Sequence, residues 1–236
     1  MKTLTRLGVA TTATAVLAAG IALPAQAQST PAPAARSGLG LDAVKALATA
    51  RIDGRLETLR ALQLAVTNAA HLTSADRSAL GSLLTSDVSG LTALRGKVAA
   101  ESAVAAVRAD ETVMVDQYRV YMLVVPKVHL TDAFDIEAAA VSALRKVHDK
   151  LAERVAKQPG GATAAEQAQL ADLQTRVQNA EQAESGKTAT LLAIQPGADA
   201  TAIRGAITPL VDAAKSARKD LKQARDDAKK VRAELK

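Results

Sequence analysis

The chemistry available to this chain is concentrated in one stretch. Residues 113–130 read VMVDQYRVYMLVVPKVHL, which includes both tyrosines, and Phe134 follows closely. Asp116 and Arg119 stand three apart, so a carboxylate and a guanidinium can pair on a helix. Tyr118 and Tyr121 have the same spacing and should share a helix face. With Lys127 and His129 these residues form a candidate ligand or partner site, and Met114 and Met122 would give it adaptable walls. The competing reading is a central core helix whose rings fill the widest gap of an alanine-lined bundle. An enzyme centred on residues 113–130 is the remote alternative.

Other chemistry finds little support. His71, His129 and His148 are scattered, with no second ligand at metal spacing. There is no glycine-rich phosphate loop and no Gly-x-Ser-x-Gly elbow. Zero Cys excludes disulfides, thiolate zinc sites and cysteine nucleophiles. Carboxylates on helices have basic neighbours, as Asp226 has Lys230 at i,i+4. We therefore assign no catalytic residue, cofactor or metal, and read the protein as non-enzymatic.

The composition names the elements that must position these residues. The 236 residues include 54 alanines, no Trp and only three aromatic rings. Hydrophobic residues make up 48% of the chain, enough for a folded core. Ala and Leu favour helix, and the rings that favour strands are nearly absent. The expected class is all-α.

The first 27 residues read as a signal peptide of the general secretory route. Lys2 and Arg6 precede an apolar run over 7–23, and Ala25-Gln26-Ala27 is a small-x-small cleavage site. Residues 28–40, rich in Pro, Ser, Ala and Gly, read as a flexible leader. No mature membrane span is expected. Removal of Lys2 and Arg6 leaves 28 basic and 24 acidic side chains, net +4. Residues 213–236 alone carry nine basic and four acidic groups. Lys215, Arg218, Lys219, Lys222, Arg225, Lys229, Lys230 and Arg232 form a candidate basic face. Such a face suits an anionic envelope polymer or lipid surface. Export makes nucleic acid the least suitable partner.

Apolar residues recur at three and four over six helical segments. The first spans 41–70, with the stripe Val44, Ala48, Ile52, Leu56, Leu59, Leu62, Val66 and Ala69. The second starts at Thr73, which caps with Asp76 in its first turn, and carries Leu80, Leu84, Val88, Leu91, Leu94 and Val98. The third should run from a Ser102 cap to Val125, stopped by Pro126. Dense β-branched residues keep a strand reading of its second half open. The fourth should start at Thr131 and end near Lys157, with the stripe Ala140, Leu144, Val147, Leu151 and Val155. Thr163 and Glu166 form a capping box for a fifth over 164–194, with a weak point at Gly186. The sixth follows Asp199. In it Ile203, Ile207, Leu210, Ala214, Ala217, Leu221, Ala224, Ala228, Val231 and Leu235 keep a 3.5-residue repeat, the mark of a coiled-coil seam. Pro209 should kink or restart that helix.

The stretch YRVYMLVVPKVHL at 118–130, after an Ala/Leu/Thr-rich helical region, resembles a group of secreted, alanine-rich, all-helical proteins of high-GC Gram-positive bacteria. The resemblance covers about residues 41–157. It implies export and an all-helical fold, and carries over no catalytic residue.

The sequence thus predicts an elongated up-and-down bundle over 41–157 and a C-terminal antiparallel coiled-coil hairpin over 158–236. The expected role is an exported structural or binding protein of the envelope or extracellular space. A holdase-like chaperone or lipid-binding protein is the alternative. Self-association through the last seam is a further expectation.

Overall fold

A computed structural model describes residues 40–235, which are all-helical with no strand among them. The signal peptide and the leader up to residue 39 lie outside the described residues. The elements are α1 (Leu41–Asn68), α2 (Ser74–Ala100), α3 (Val104–Tyr118), a π-helical turn (Val120–Val124), α4 (Val125–Ala156), α5 (Ala164–Glu184), α6 (Lys187–Ala193) and α7 (Ala200–Glu234). Among them no helix is long and apolar enough to cross a membrane.

The caps explain most boundaries. The Thr73 hydroxyl accepts from the Asp76 N–H, and Thr163 with Glu166 closes the reciprocal capping box. Asp199 accepts from the N–H groups of Thr201 and Ala202. The Arg77 guanidinium donates to the carbonyls of Val66, Thr67 and Ala69, serving the unpaired end of α1. Gly186 takes φ +71°, which favours glycine, and divides the expected fifth helix into α5 and α6.

Three boundaries differ from the sequence reading. α3 starts after Ala103 without a side-chain cap, so Ser102 does not serve as one. Pro126 starts a helix instead of ending one. It sits in the first turn of α4, where its missing N–H would have no partner in any case. The break falls at Arg119, the one non-glycine residue with positive φ (43°) among those described. Thr131 is consequently fully buried inside α4, not at its cap. At Pro209 the helix neither stops nor restarts, since α7 runs through it. The stripe of α4 also differs: Val147 is exposed, while Val141 and half-buried His148 hold the inward positions.

Among the described residues three apolar clusters form the core. The first joins α1, α2 and α3 through residues such as Ile52, Leu59, Leu84, Leu91 and Met114. The second joins α4, α5 and α7 through Leu144, Leu151, Leu173, Val177, Leu221 and Val231. The third gathers Leu123, Leu130, Phe134, Leu191, Ile203 and Leu210 where the chain passes between the others. α4, grouped by sequence with the first three helices, therefore shares its main cluster with α5 and α7.

Glycines in α2 give a sharp test of packing. A Cβ on Gly90 would lie 2.8 Å from Cε1 and 3.0 Å from Cζ of Tyr118, whereas at Gly81 and Gly96 nothing lies within 4 Å. We expect Gly81→Ala and Gly96→Ala each to stabilise by about 0.5–1 kcal/mol through helix propensity. Gly90→Ala should destabilise by about 1–3 kcal/mol, because the ring must leave its seat. Urea unfolding of the three variants checks this. An equal gain at all three positions would contradict the Tyr118 packing.

Candidate functional site

The break at Arg119 decides where the candidate residues go. Arg119 ends α3 in the left-handed region, and the chain re-enters helix through the π turn. Its buried guanidinium donates from Nε to the Gly197 carbonyl at 2.7 Å and from Nη2 to the Ala198 carbonyl at 2.7 Å. Nη2 also pairs with Asp116 at 2.8 Å, the expected i,i+3 partner. Arg119 thus clamps the loop before α7 and is not presented to solvent.

The same break separates the tyrosines. The Tyr118 ring lies against Gly90 of α2, while the Tyr121 hydroxyl lies 3.6 Å from where a Cβ on Gly54 of α1 would sit. Tyr121 is 44% exposed, with the Arg55 guanidinium 5.2 Å from its ring centroid. The shared helix face expected from their spacing does not form, because the helix that would carry it is interrupted between them. His129 is exposed on α4. Of the six candidates, the structure brings Tyr118 and Lys127 together in one cleft and leaves Tyr121 and His129 outside it.

That cleft has a volume of about 160 Å³. Leu83, Leu123, Val124, Leu192 and Pro196 supply apolar walls, and Asp87, Lys127, Tyr118, Gln117 and Gln195 supply polar groups. Lys127 is 4% exposed and donates to the Leu192 carbonyl at 2.9 Å, at the C-terminal end of α6. Burial lowers the Lys127 ammonium from its ordinary range, and Asp87 partly opposes this. Asp87 is 9% exposed, and its Oδ2 has no hydrogen-bond partner. Burial raises its carboxyl to about 6, against the opposing pull of Lys127. Burial, then the Asp87 charge, raises the Tyr118 phenol.

Asp87 was missed by the apolar reading, which chose Val88 for the α2 stripe. Val88 is only half-buried. Leu80, Leu84, Asp87, Leu91, Leu94 and Val98 are buried at alternating spacings of four and three. Counted by phase alone, position 87 belongs to the seam whatever its side chain.

A second buried polar cluster follows the same rule. On α4, Phe134, Glu137, Val141 and Leu144 keep the seam phase, and Glu137 is 2% exposed. Its Oε1 accepts from Arg218 Nε of α7 at 2.7 Å, and its Oε2 is unpartnered. Burial raises the Glu137 carboxyl to about 7, despite Arg218. Glu184 at the end of α5 is raised to about 7 by burial, then by the charges of Glu137, Glu181 and Asp135. Among the described residues no group of three or more His, Asp or Glu side chains is arranged to hold a metal ion.

The basic face of α7 is not uniform. Arg218 is committed to Glu137, while Lys215, Lys229 and Lys230 pair with Asp212, Asp226 and Asp227 at 3.3, 2.9 and 2.9 Å. The Lys215 and Lys229 pairs are exposed, and exposed pairs contribute little. Lys219, Lys222 and Arg232 are exposed and Arg225 is half-buried. Across the helix, Asp220, Asp227 and Glu234 face α5. Arg176 approaches Asp220 at 4.0 Å and Asp227 at 3.0 Å, and Gln169 donates to Glu234 at 2.8 Å.

No family model, curated protein or solved structure matches the chain.

Proposed function

We propose that this is an exported, non-enzymatic helical protein of the cell envelope that binds an anionic polymer along one flank of α7. The observation that carries the reading is the segregation of charge across that helix. Arg218, Arg225 and Arg232 follow one another at seven-residue intervals, so they share a flank, and Arg218 fixes it as the α4 side. Asp220, Asp227 and Glu234 hold the same interval on the other flank, engaged with α5. Asp220 and Asp227 are thereby drawn toward α5, and with Arg218 turned in to Glu137 the positive charge left on the other side is that of Lys222, Arg225, Lys229 and Arg232. At 1.5 Å per residue the row from Lys222 to Arg232 is about 15 Å long, which suits a linear polyanion. A lipid surface suits it less well. An interfacial helix must insert its apolar face, and the apolar stripe of α7 is buried against α4 and α5.

In this reading the helices form an up-and-down bundle in which α5 and α7 pair as an antiparallel coiled-coil hairpin. Arg176 meets Asp227, and Gln169, seven residues earlier, meets Glu234, seven residues later. That opposite progression supports the antiparallel register. The intrachain burial of the α7 seam argues against its use for pairing between copies. The holdase or lipid-carrier reading draws little from the exposed large apolar side chains, since Leu47, Leu64, Val115, Tyr121 and Val147 are spread over several helices.

The test is a combined Lys222→Gln, Arg225→Gln, Lys229→Gln and Arg232→Gln variant, assayed on inorganic polyphosphate beside vesicles containing phosphatidylglycerol. Polyphosphate binding should weaken at least tenfold, with the circular dichroism spectrum unchanged. A control changing Lys45 and Arg60 to Gln on α1 should bind as the unaltered protein does. Equal loss in both variants, or vesicle binding in preference to polyphosphate, would overturn the assignment to α7.

A further inference from the structure

The cleft between α2, the π turn and the loop after α6 carries an unbalanced pair of charges. Asp87 and Lys127 are both more than nine-tenths buried and each shifts the other's protonation, yet no ion pair closes between them. Asp87 Oδ2 accepts nothing. Lys127 spends one N–H on the Leu192 carbonyl, and an ammonium has three to give. A buried carboxylate and a buried ammonium held apart are costly to a fold, and a closed pair would cost it less. The arrangement suits a molecule with a donor at one end and an acceptor at the other.

We propose that this cleft binds a small zwitterion, an aliphatic α-amino acid, with its ammonium on the Asp87 carboxylate and its carboxylate on Lys127 Nζ. The two polar ends match in sign and in the hydrogen bonds left open. Leu83, Leu123, Val124 and Leu192 offer the side chain an apolar wall. The size limits the ligand. A cavity of about 150 Å³ holds a molecule the size of benzene, so at 160 Å³ the occupant has about six to eight non-hydrogen atoms. An ordinary amine would gain Asp87 but meet the Lys127 charge, and a simple carboxylate would meet the reverse conflict. Only a molecule carrying both groups satisfies both residues. Gln117 and Gln195, with Ala79 at the rim, edge the cleft, so a ligand reaches it without opening the core.

The experiment is a methyl-resolved NMR titration of the purified protein with L-alanine and L-valine. Ethylamine and propionate serve as analogues that each lack one charged group. The amino acids should give saturable shifts at the methyls of Leu83, Leu123, Val124 and Leu192, with Leu221 and Val231 unmoved. Each analogue should bind at least tenfold more weakly. Asp87→Asn should lower affinity at least tenfold. Ala79→Phe, which blocks the rim and leaves both charges in place, should do the same and guards against a folding defect in the first variant. The proposal fails if no saturable shift appears by about 10 mM, a concentration that would reveal even millimolar affinity. It fails equally if the analogues bind as well as the amino acids, or if both variants bind normally, which would leave the cleft to water alone.

Discussion

Acidification from pH 8 to pH 5 should make this protein more stable, by about 2 kcal/mol from Glu137 and Glu184 together once the water reaching Glu184 is allowed for. Both carboxyls are raised to about 7 in the folded chain, against 4.5 for an ordinary glutamate. Between those values the folded state holds protons that the unfolded chain releases. Stability is therefore gained as pH falls through about 7 and is fully present below about 4.5. Asp87, raised to about 6, adds to the same trend at the acid end of the window. Glu166 and Asp226 are held below their ordinary values by hydrogen bonds, so their opposing contribution appears only at still lower pH. For a chain of this size the gain corresponds to a melting temperature higher by about 4–8 °C at pH 5 than at pH 8. Glu184→Gln should raise the melting temperature at pH 8 and flatten the profile. A melting temperature that is flat or falls on acidification would contradict the burial of these two carboxyls.

The second large effect concerns Arg119. Replacing it with Ala should destabilise the protein by about 2–4 kcal/mol, since hydrogen bonds from a charged donor contribute about 1.5–3 kcal/mol each and three acceptors would lose their partner. Its guanidinium serves the Gly197 and Ala198 carbonyls and Asp116 at once. The left-handed backbone at φ 43° persists because these contacts hold it. Arg119→Lys should recover less than half of the loss, because a point charge on a flexible stem cannot reproduce the planar fork. Hydrogen exchange should quicken over residues 194–199 and stay unchanged in α1. If Lys restored full stability, Arg119 would be acting as a charge alone and not as a clamp.

Much of the fold was legible because helical phase is a local property. The α1 and α7 stripes, the Thr73 and Asp199 caps, the Thr163–Glu166 box and the weak point at Gly186 all follow from neighbours within one or two turns. The break at Arg119 was not legible, because what holds it lies about eighty residues away in the loop before α7. Pro126 misled for a related reason: a proline fits a first turn as well as a terminus, and the difference is set by the residues before it. Asp87 and Glu137 were missed because only apolar side chains were counted. Each sits in phase with its stripe, so the spacing alone marked them as buried. Of the candidate site, sequence supplied Tyr118 and Lys127, and the fold supplied Asp87, Gln117 and Gln195.

In the proposed function Lys222, Arg225, Lys229 and Arg232 on α7 bind a linear polyanion by charge. The most direct test is the affinity of the intact protein for inorganic polyphosphate as salt is raised from about 50 mM to about 500 mM, a range over which the screening length falls well below 10 Å. Binding should be present at the low end and weaken steeply and continuously as salt rises. Absent binding at low salt, or binding that salt leaves unchanged, would contradict it.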